Sequence, residues 1–204
     1  MSRPGTSGVS RETSHKLDIY DRELRKWQRV LNLVSPASLS HVWRRHIEDC
    51  LQLVHLHPDA QAWIDLGSGA GLPGLIIAAR DVAPAVLLIE SDRRKCAFLR
   101  STAAAMGVAV SVREDRIEAA VPTLAVQEQT VVTARALAPL HRLLLYAQPL
   151  LLQGAVGLFP KGRTYSSELT LARESWRFDA EVIPSRTHPD GRVIRITRFQ
   201  GSRS

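Results

Sequence analysis

Cysteine is scarce in this chain: 204 residues contain two, Cys50 and Cys96. Two thiols make neither a disulfide framework nor a zinc site, and no metal site is expected. Both fall in helical patterns and read as small apolar packing residues rather than nucleophiles. Long apolar runs are missing too, so no segment matches a membrane span. Residues 1–14 are polar, rich in Ser, Gly and Arg, and lack the apolar core of a signal peptide. They read as a disordered start of a cytoplasmic protein. Acid is outnumbered: 20 Asp and Glu face 27 Lys and Arg, a net charge of +7. Such a balance suits a polyanionic partner, although a soluble surface can carry it as well.

What is present divides near residue 59. Leu17, Tyr20, Leu24, Trp27 and Leu31 recur at steps of three and four, an amphipathic helix with Arg22, Arg25, Lys26 and Arg29 on its other face. A second helix is expected from about Ser40 to Leu56, bounded by Ser35-Pro36 and Pro58. Residues 15–58 therefore read as a helical extension and 59–204 as the main domain. In the latter, strands ending at Asp65 and Glu90, then 108–112, 130–133 and 154–159, alternate with helices at 75–79, 93–106 and 140–152. Glu168 to Trp176 reads as a helix. Residues 181–183 and 193–196 close the chain as an antiparallel pair around Pro189-Asp190-Gly191. The expected fold is α/β, a Rossmann-like, mostly parallel seven-stranded sheet.

The most informative stretch is Asp65-Leu66-Gly67-Ser68-Gly69-Ala70-Gly71-Leu72-Pro73-Gly74, between a buried strand and a helix. Glycines there allow a tight turn and let a ligand lie against the backbone, as in a nucleotide site. Gly69-x-Gly71-x-x-Gly74 also fits the dinucleotide fingerprint, which is weak alone. Asp65 points elsewhere: a phosphate gains nothing from it, whereas a ligand carrying an amino group and a sulfonium does. S-adenosylmethionine is such a ligand. Glu90, about 20 residues past the loop, stands where an acid binds ribose hydroxyls.

Taken in order, Tyr20 through Asn32-Leu33, Arg45-His46-Ile47-Glu48-Asp49, the loop Asp65–Gly74, Leu88-Ile89-Glu90-Ser91 with Arg94-Lys95-Cys96-Ala97-Phe98-Leu99, Arg116-Ile117-Glu118, Thr133-Ala134-Arg135-Ala136-Leu137-Ala138 and Pro160-Lys161-Gly162 form a specific set. On these residues the chain resembles the RsmG family, also called glucose-inhibited division protein B, from about Leu17 to Phe199. The resemblance implies a methyltransferase that uses S-adenosylmethionine to methylate N7 of a guanine in 16S ribosomal RNA of the small subunit. It further implies that Gly67, Leu72, Ile117, Glu118 and Arg135 contact the cofactor, alongside the Asp65, Gly69 and Glu90 of the loop reading. The chain departs from the family pattern at Gln28, Val34, Cys50, Glu90 and Leu137, where Asn, Thr, Ser, Asp and Phe are frequent.

Such a reaction asks for little acid–base machinery. N7 of guanine carries a free lone pair, so orientation matters more than a base. The place after the fourth strand reads Thr133-Ala134-Arg135-Ala136, not the Asn/Asp-Pro-Pro-aromatic element of exocyclic-amine methyltransferases, and Arg135 stays protonated. No residue is singled out as catalytic. N7 lies in the deep major groove of an RNA helix, so the target base must be looped out or unstacked. Arg44, Arg45, His46, Arg93, Arg94, Lys95 and Lys161 are the expected RNA contacts, Lys161 foremost; His46 reads more readily as a structural histidine than as a catalyst. Three rivals stand beside this reading. A small-molecule methyltransferase calls for a hydrophobic lid and little excess charge, against 5% aromatics and +7 here. An RNA-binding module with a vestigial site sits poorly with the intact loop and its two acids. A nicotinamide dehydrogenase lacks its substrate domain.

Overall fold

The computed structural model describes residues 9–80 and 85–203. Helix α1 (Arg11–Trp27) starts earlier than the sequence suggests, because the Ser10 side chain accepts the Thr13 amide as an N-cap. Of the expected disordered stretch, 11–14 are thus helical, and 1–8 lie outside the described residues. Leu17, Tyr20 and Leu24 are buried, as their spacing requires.

The next segment differs from the single helix expected over Ser40–Leu56. A 3-10 turn (Pro36–His41) runs into a π-helical turn (Trp43–Ile47), and only then does α2 (Glu48–Leu56) begin. A π turn spans one more residue per hydrogen bond than an α-helix and is common at functional sites. Apolar periodicity does not reveal such an insertion, since the buried Val42, Ile47, Cys50 and Leu53 still share a face.

Strands β1 (Ala62–Leu66), β2 (Ala85–Glu90), β3 (Ser111–Glu114), β4 (Thr130–Thr133), β5 (Val156–Lys161), β6 (Trp176–Pro184) and β7 (Arg192–Ser202) form one sheet in the order β3-β2-β1-β4-β5-β7-β6. The first five are parallel, and β7 runs antiparallel to both β5 and β6. Strand β3 begins three residues later than expected. Helix α4 (Arg93–Met106) ends at Gly107 in the left-handed conformation, and the Val108 amide folds back onto the Ala103 carbonyl. The alternation of Val108, Val110 and Val112 is blind to which of them pairs. Helix α7 (Tyr165–Ser175) stops one residue before the expected Trp176, which opens β6.

Helices α3 (Gly74–Ala78) and α4 join α1 and α2 over one face of the sheet; α5 (Ile117–Ala120), α6 (Leu140–Leu152) and α7 lie on the other side. Leu17, Tyr20 and Leu24 share one apolar cluster with Leu75, Leu88 and Phe98 of the main domain. The Trp27 ring meets Phe98 edge-on, centroids 5.9 Å apart. The helical extension is therefore packed into the core that carries the site. Among the described residues no helix is long and apolar enough to cross a membrane. The strand order reverses between β1 and β4, and the crevice at the carboxyl ends of such strands is where open α/β sheets bind ligands.

Candidate active site

A cavity of about 540 Å³ lies at that switch point. Its floor is the glycine loop between β1 and α3. Gly69 has φ +53°, and a Cβ added there would meet only the Gly67 carbonyl at 3.7 Å, so the backbone is bare on the open side. Gly74 serves another purpose: a Cβ would come within 2.2 Å of Leu88 and 2.9 Å of the Asp65 carboxylate. The loop is held from below by the Tyr20 hydroxyl, which donates to the Ala70 carbonyl at 2.8 Å.

Gly67, Gly69, Leu72, Glu90, Ile117, Glu118 and Arg135 all line this cavity. Asp65 does not. It is fully buried, and its Oδ2 accepts the Gly74 amide at 3.1 Å. Burial pushes its carboxyl up to about 7, a shift that the Gly74 amide opposes. Asp65, expected to meet the amino group of a ligand, stands behind the loop: Oδ2 closes it, and Oδ1 is buried without a hydrogen-bond partner among the described residues. The strand's alternation turns it into the interior, paired beside Leu88 and Thr133. Glu90 stands at the cavity wall, yet both its oxygens also brace backbone, Oε2 accepting the Gly69 amide and Oε1 the Asp92 amide, each at 2.9 Å. A carboxylate oxygen has lone pairs to spare, so Glu90 can hold the loop and still accept ribose hydroxyls.

Arg135, just past β4, is a hub. Its Nε lies 3.3 Å from Asp49 Oδ2, and one terminal nitrogen donates to the Arg45 carbonyl at 2.8 Å and to His46 Nδ1 at 2.9 Å. The π turn carries these last two groups within reach. An arginine only donates, so Nδ1 accepts and the ring proton is assigned to Nε2. Burial and the neighbouring Arg135 charge push the His46 imidazole down to about 4. His46 is thus a neutral, oriented ring with its basic lone pair occupied.

Sequence relationships agree with this geometry. Residues 13–190 match the family model described as rRNA small subunit methyltransferase G. The chain belongs to this family. The methyltransferase is 53% identical over 192 residues to ribosomal RNA small subunit methyltransferase G of Methylorubrum extorquens, covering 93% of this chain and 90% of that one. It is 47% identical to the protein of the same name from Gluconobacter oxydans, with 94% and 97% covered. In fold it is similar to a mutant of MtNAS in complex with S-adenosylmethionine, with a TM-score of 0.59 at 13% identity over 93% of this chain and 75% of that one.

The basic residues expected to meet RNA fall in different places. Lys95 and His46 line the first cavity, and Arg45, His46 and Lys161 line a second one. Arg44 and Arg93 are exposed and line neither; Arg94, also exposed, donates to the Val30 carbonyl. Lys161, the foremost of the expected RNA contacts, has its charge already paired. It is largely buried, with its ammonium 2.8 Å from Glu168 Oε2 and 2.7 Å from the Ala138 carbonyl. It braces the wall between β5 and α7 rather than offering a free charge to RNA.

Other departures from the family pattern resolve locally. The Gln28 amide donates to the Val34 carbonyl and accepts the Leu33 and Val34 amides, clamping the loop that roofs the first cavity. Cys50 is buried and burial raises its thiol far above its ordinary range; Cys96 is buried, its Sγ donating to the Glu90 carbonyl at 3.3 Å. Neither is poised as a nucleophile. Asp49, Gln52, Tyr146 and the loop 185–191 are not among the residues that sequence reasoning selects, although each contributes to the wall of one cavity or the other. Asp49 does fall in the Arg45–Asp49 motif; for the others no local signal exists.

Proposed function

We propose that this methyltransferase transfers a methyl group from S-adenosylmethionine to N7 of a guanine in 16S ribosomal RNA of the small subunit, in line and without an obligatory general base. The residues of the first cavity suit that cofactor. Gly69 leaves room beside the backbone, Gly67 packs its bare Cα against Leu137 at the cavity wall, Glu90 has lone pairs for hydroxyls, and Leu72 and Ile117 offer apolar contact. Bound there, the cofactor would supply an electrophilic methyl group, its positive charge passing from sulfur to the purine whose ring-nitrogen lone pair takes the methyl. The chain's own part is to orient, through Arg135 and His46, and to hold water away from the reacting centre.

The observation that carries this reading is the state of His46. It is the imidazole at the edge of the cofactor cavity, its Nδ1 is taken by Arg135, and its basicity is depressed to about 4. A nucleophile that first had to lose a proton would find no free imidazole there to take it, whereas N7 needs none. Arg44, Arg45, Arg93 and Arg94, all exposed, support RNA as the substrate over a small molecule. The reading gives a cytoplasmic enzyme with the small ribosomal subunit as partner and needs neither a membrane nor a metal ion. Incubating small subunits with the protein and methyl-labelled cofactor, then mapping N7-methylguanine in the 16S RNA, tests it. Label on an exocyclic amine, or none in that RNA, would overturn it.

A further inference from the structure

The second cavity, of about 560 Å³, shares Ser35, Ser38, His46, Arg135, Ala136 and Leu137 with the first, so the two meet along the Arg135 hub. It falls within the roughly 300–1,000 Å³ of sites for small molecules. Its outer wall is the loop between β6 and β7. That loop is built to stay in place. Asp49 Oδ1 accepts the Thr187 hydroxyl at 2.8 Å, Gln52 Oε1 accepts the Arg186 amide at 2.9 Å, and Asp190 pairs with Arg163 at 3.1 Å. The carboxylate that fixes Arg135 thus also fixes the loop.

Arg192, at the start of β7, is held more firmly than a surface arginine needs to be. One terminal nitrogen donates to the Pro189 carbonyl at 2.8 Å and the Gly191 carbonyl at 2.6 Å, and the guanidinium lies over the Tyr165 ring, 5.1 Å from its centroid. Arg192 lines the cavity and Tyr165 does not. Arg192 thus stands fixed between the Tyr165 ring and the cavity it lines. A fixed, flat, cationic surface is what an unstacked base uses as a stacking partner.

We propose that the second cavity receives the acceptor purine, turned out of the RNA strand, and that Arg192 is the platform on which it stacks. The inference rests on the methyltransferase reading above and adds where the acceptor lies. Its charge suits the adjoining phosphate as well, while the shared Arg135 wall sets the base next to the cofactor cavity.

Kinetics on small ribosomal subunits with labelled cofactor, alongside cofactor affinity by calorimetry, test it. Wild-type protein comes first: no N7 product there removes the methyltransferase reading and this inference with it. With an active wild type, Arg192→Ala should lower kcat/KM for RNA between about fivefold and a hundredfold, the range of base stacking, with cofactor affinity unchanged. Arg192→Lys keeps the charge and loses the plane, and should remain near Arg192→Ala; Arg192→His, flat again, should recover part of the loss. Gly162 lines the same cavity and a Cβ there meets nothing within 4 Å. Gly162→Phe should therefore fold, bind cofactor and fail to methylate. Full activity of Arg192→Lys or of Gly162→Phe would overturn the proposal.

Discussion

The Tyr20 hydroxyl, on the N-terminal helix, donates to the carbonyl of Ala70 in the glycine loop at 2.8 Å, fifty residues away. Tyr20 is fully buried, and so nearly is Ala70. The helical extension thereby fixes the glycine loop from the side opposite the cavity. Tyr20→Phe removes the donor and leaves a buried carbonyl without its partner, a cost of about 1–3 kcal/mol. Thermal unfolding should fall, and calorimetry should show weaker S-adenosylmethionine binding in the folded variant. Unchanged cofactor affinity would confine Tyr20 to stability.

Glu90 is expected to do two jobs, and a cofactor analogue separates them. Glu90→Gln keeps an acceptor for only one of the Gly69 and Asp92 amides, and Glu90→Ala keeps none. Losing a charged acceptor costs about 1.5–3 kcal/mol, so Glu90→Ala should bind S-adenosylmethionine roughly tenfold more weakly or worse. An analogue lacking ribose hydroxyls should bind wild type poorly and lose little more in the variants. Equal losses for both ligands would reduce Glu90 to a loop brace.

The chemical step should be nearly independent of pH between about 6.5 and 8.5, the window in which an ordinary histidine base would titrate. His46 titrates near 4 and is neutral throughout it. Arg135→Lys keeps a charge but cannot reach the Arg45 carbonyl, His46 and Asp49 together. Single-turnover rates should drop about tenfold or more, the scale of a misplaced reacting group. A log-linear rise of rate with pH would mean that a base is present after all.

Asp65 should make stability depend on pH. Its folded carboxyl titrates near 7, because it is buried, against about 3.9 in an unfolded chain. A raised folded value gives a contribution that is complete below about pH 4 and is lost as pH climbs through 7. Asp65→Asn, which stays neutral, should therefore gain on wild type from pH 5 to pH 8, by on the order of 3 kcal/mol. Urea midpoints at the two pH values measure this. A difference between the proteins that is constant with pH would mean that Asp65 titrates normally.

RNA affinity should fall with salt through the exposed arginines. Arg44→Ala with Arg45→Ala should flatten the salt slope by about one for each phosphate no longer neutralised. Cofactor affinity should hold, because Arg135 uses the main-chain carbonyl of Arg45 and not its side chain. An unaltered slope would move the RNA to another face.

Local pattern was enough for the layered α/β fold, the glycine loop, Glu90 at the cavity wall and the family, because each is written in residues within a few turns or strands of one another. The period of apolar residues names a face, and the spacing of glycines names a turn. What packing alone decided lies farther apart. Asp65 was turned inward by its place in a central strand, and Lys161 was claimed by Glu168 and the Ala138 carbonyl. Arg135 reached back 89 residues to His46, and Asp49 reached forward 138 to Thr187, so that a second cavity closed beside the first. Whether a charged side chain is free for RNA or already paired depends on which layers meet, and the layers meet only in the folded chain.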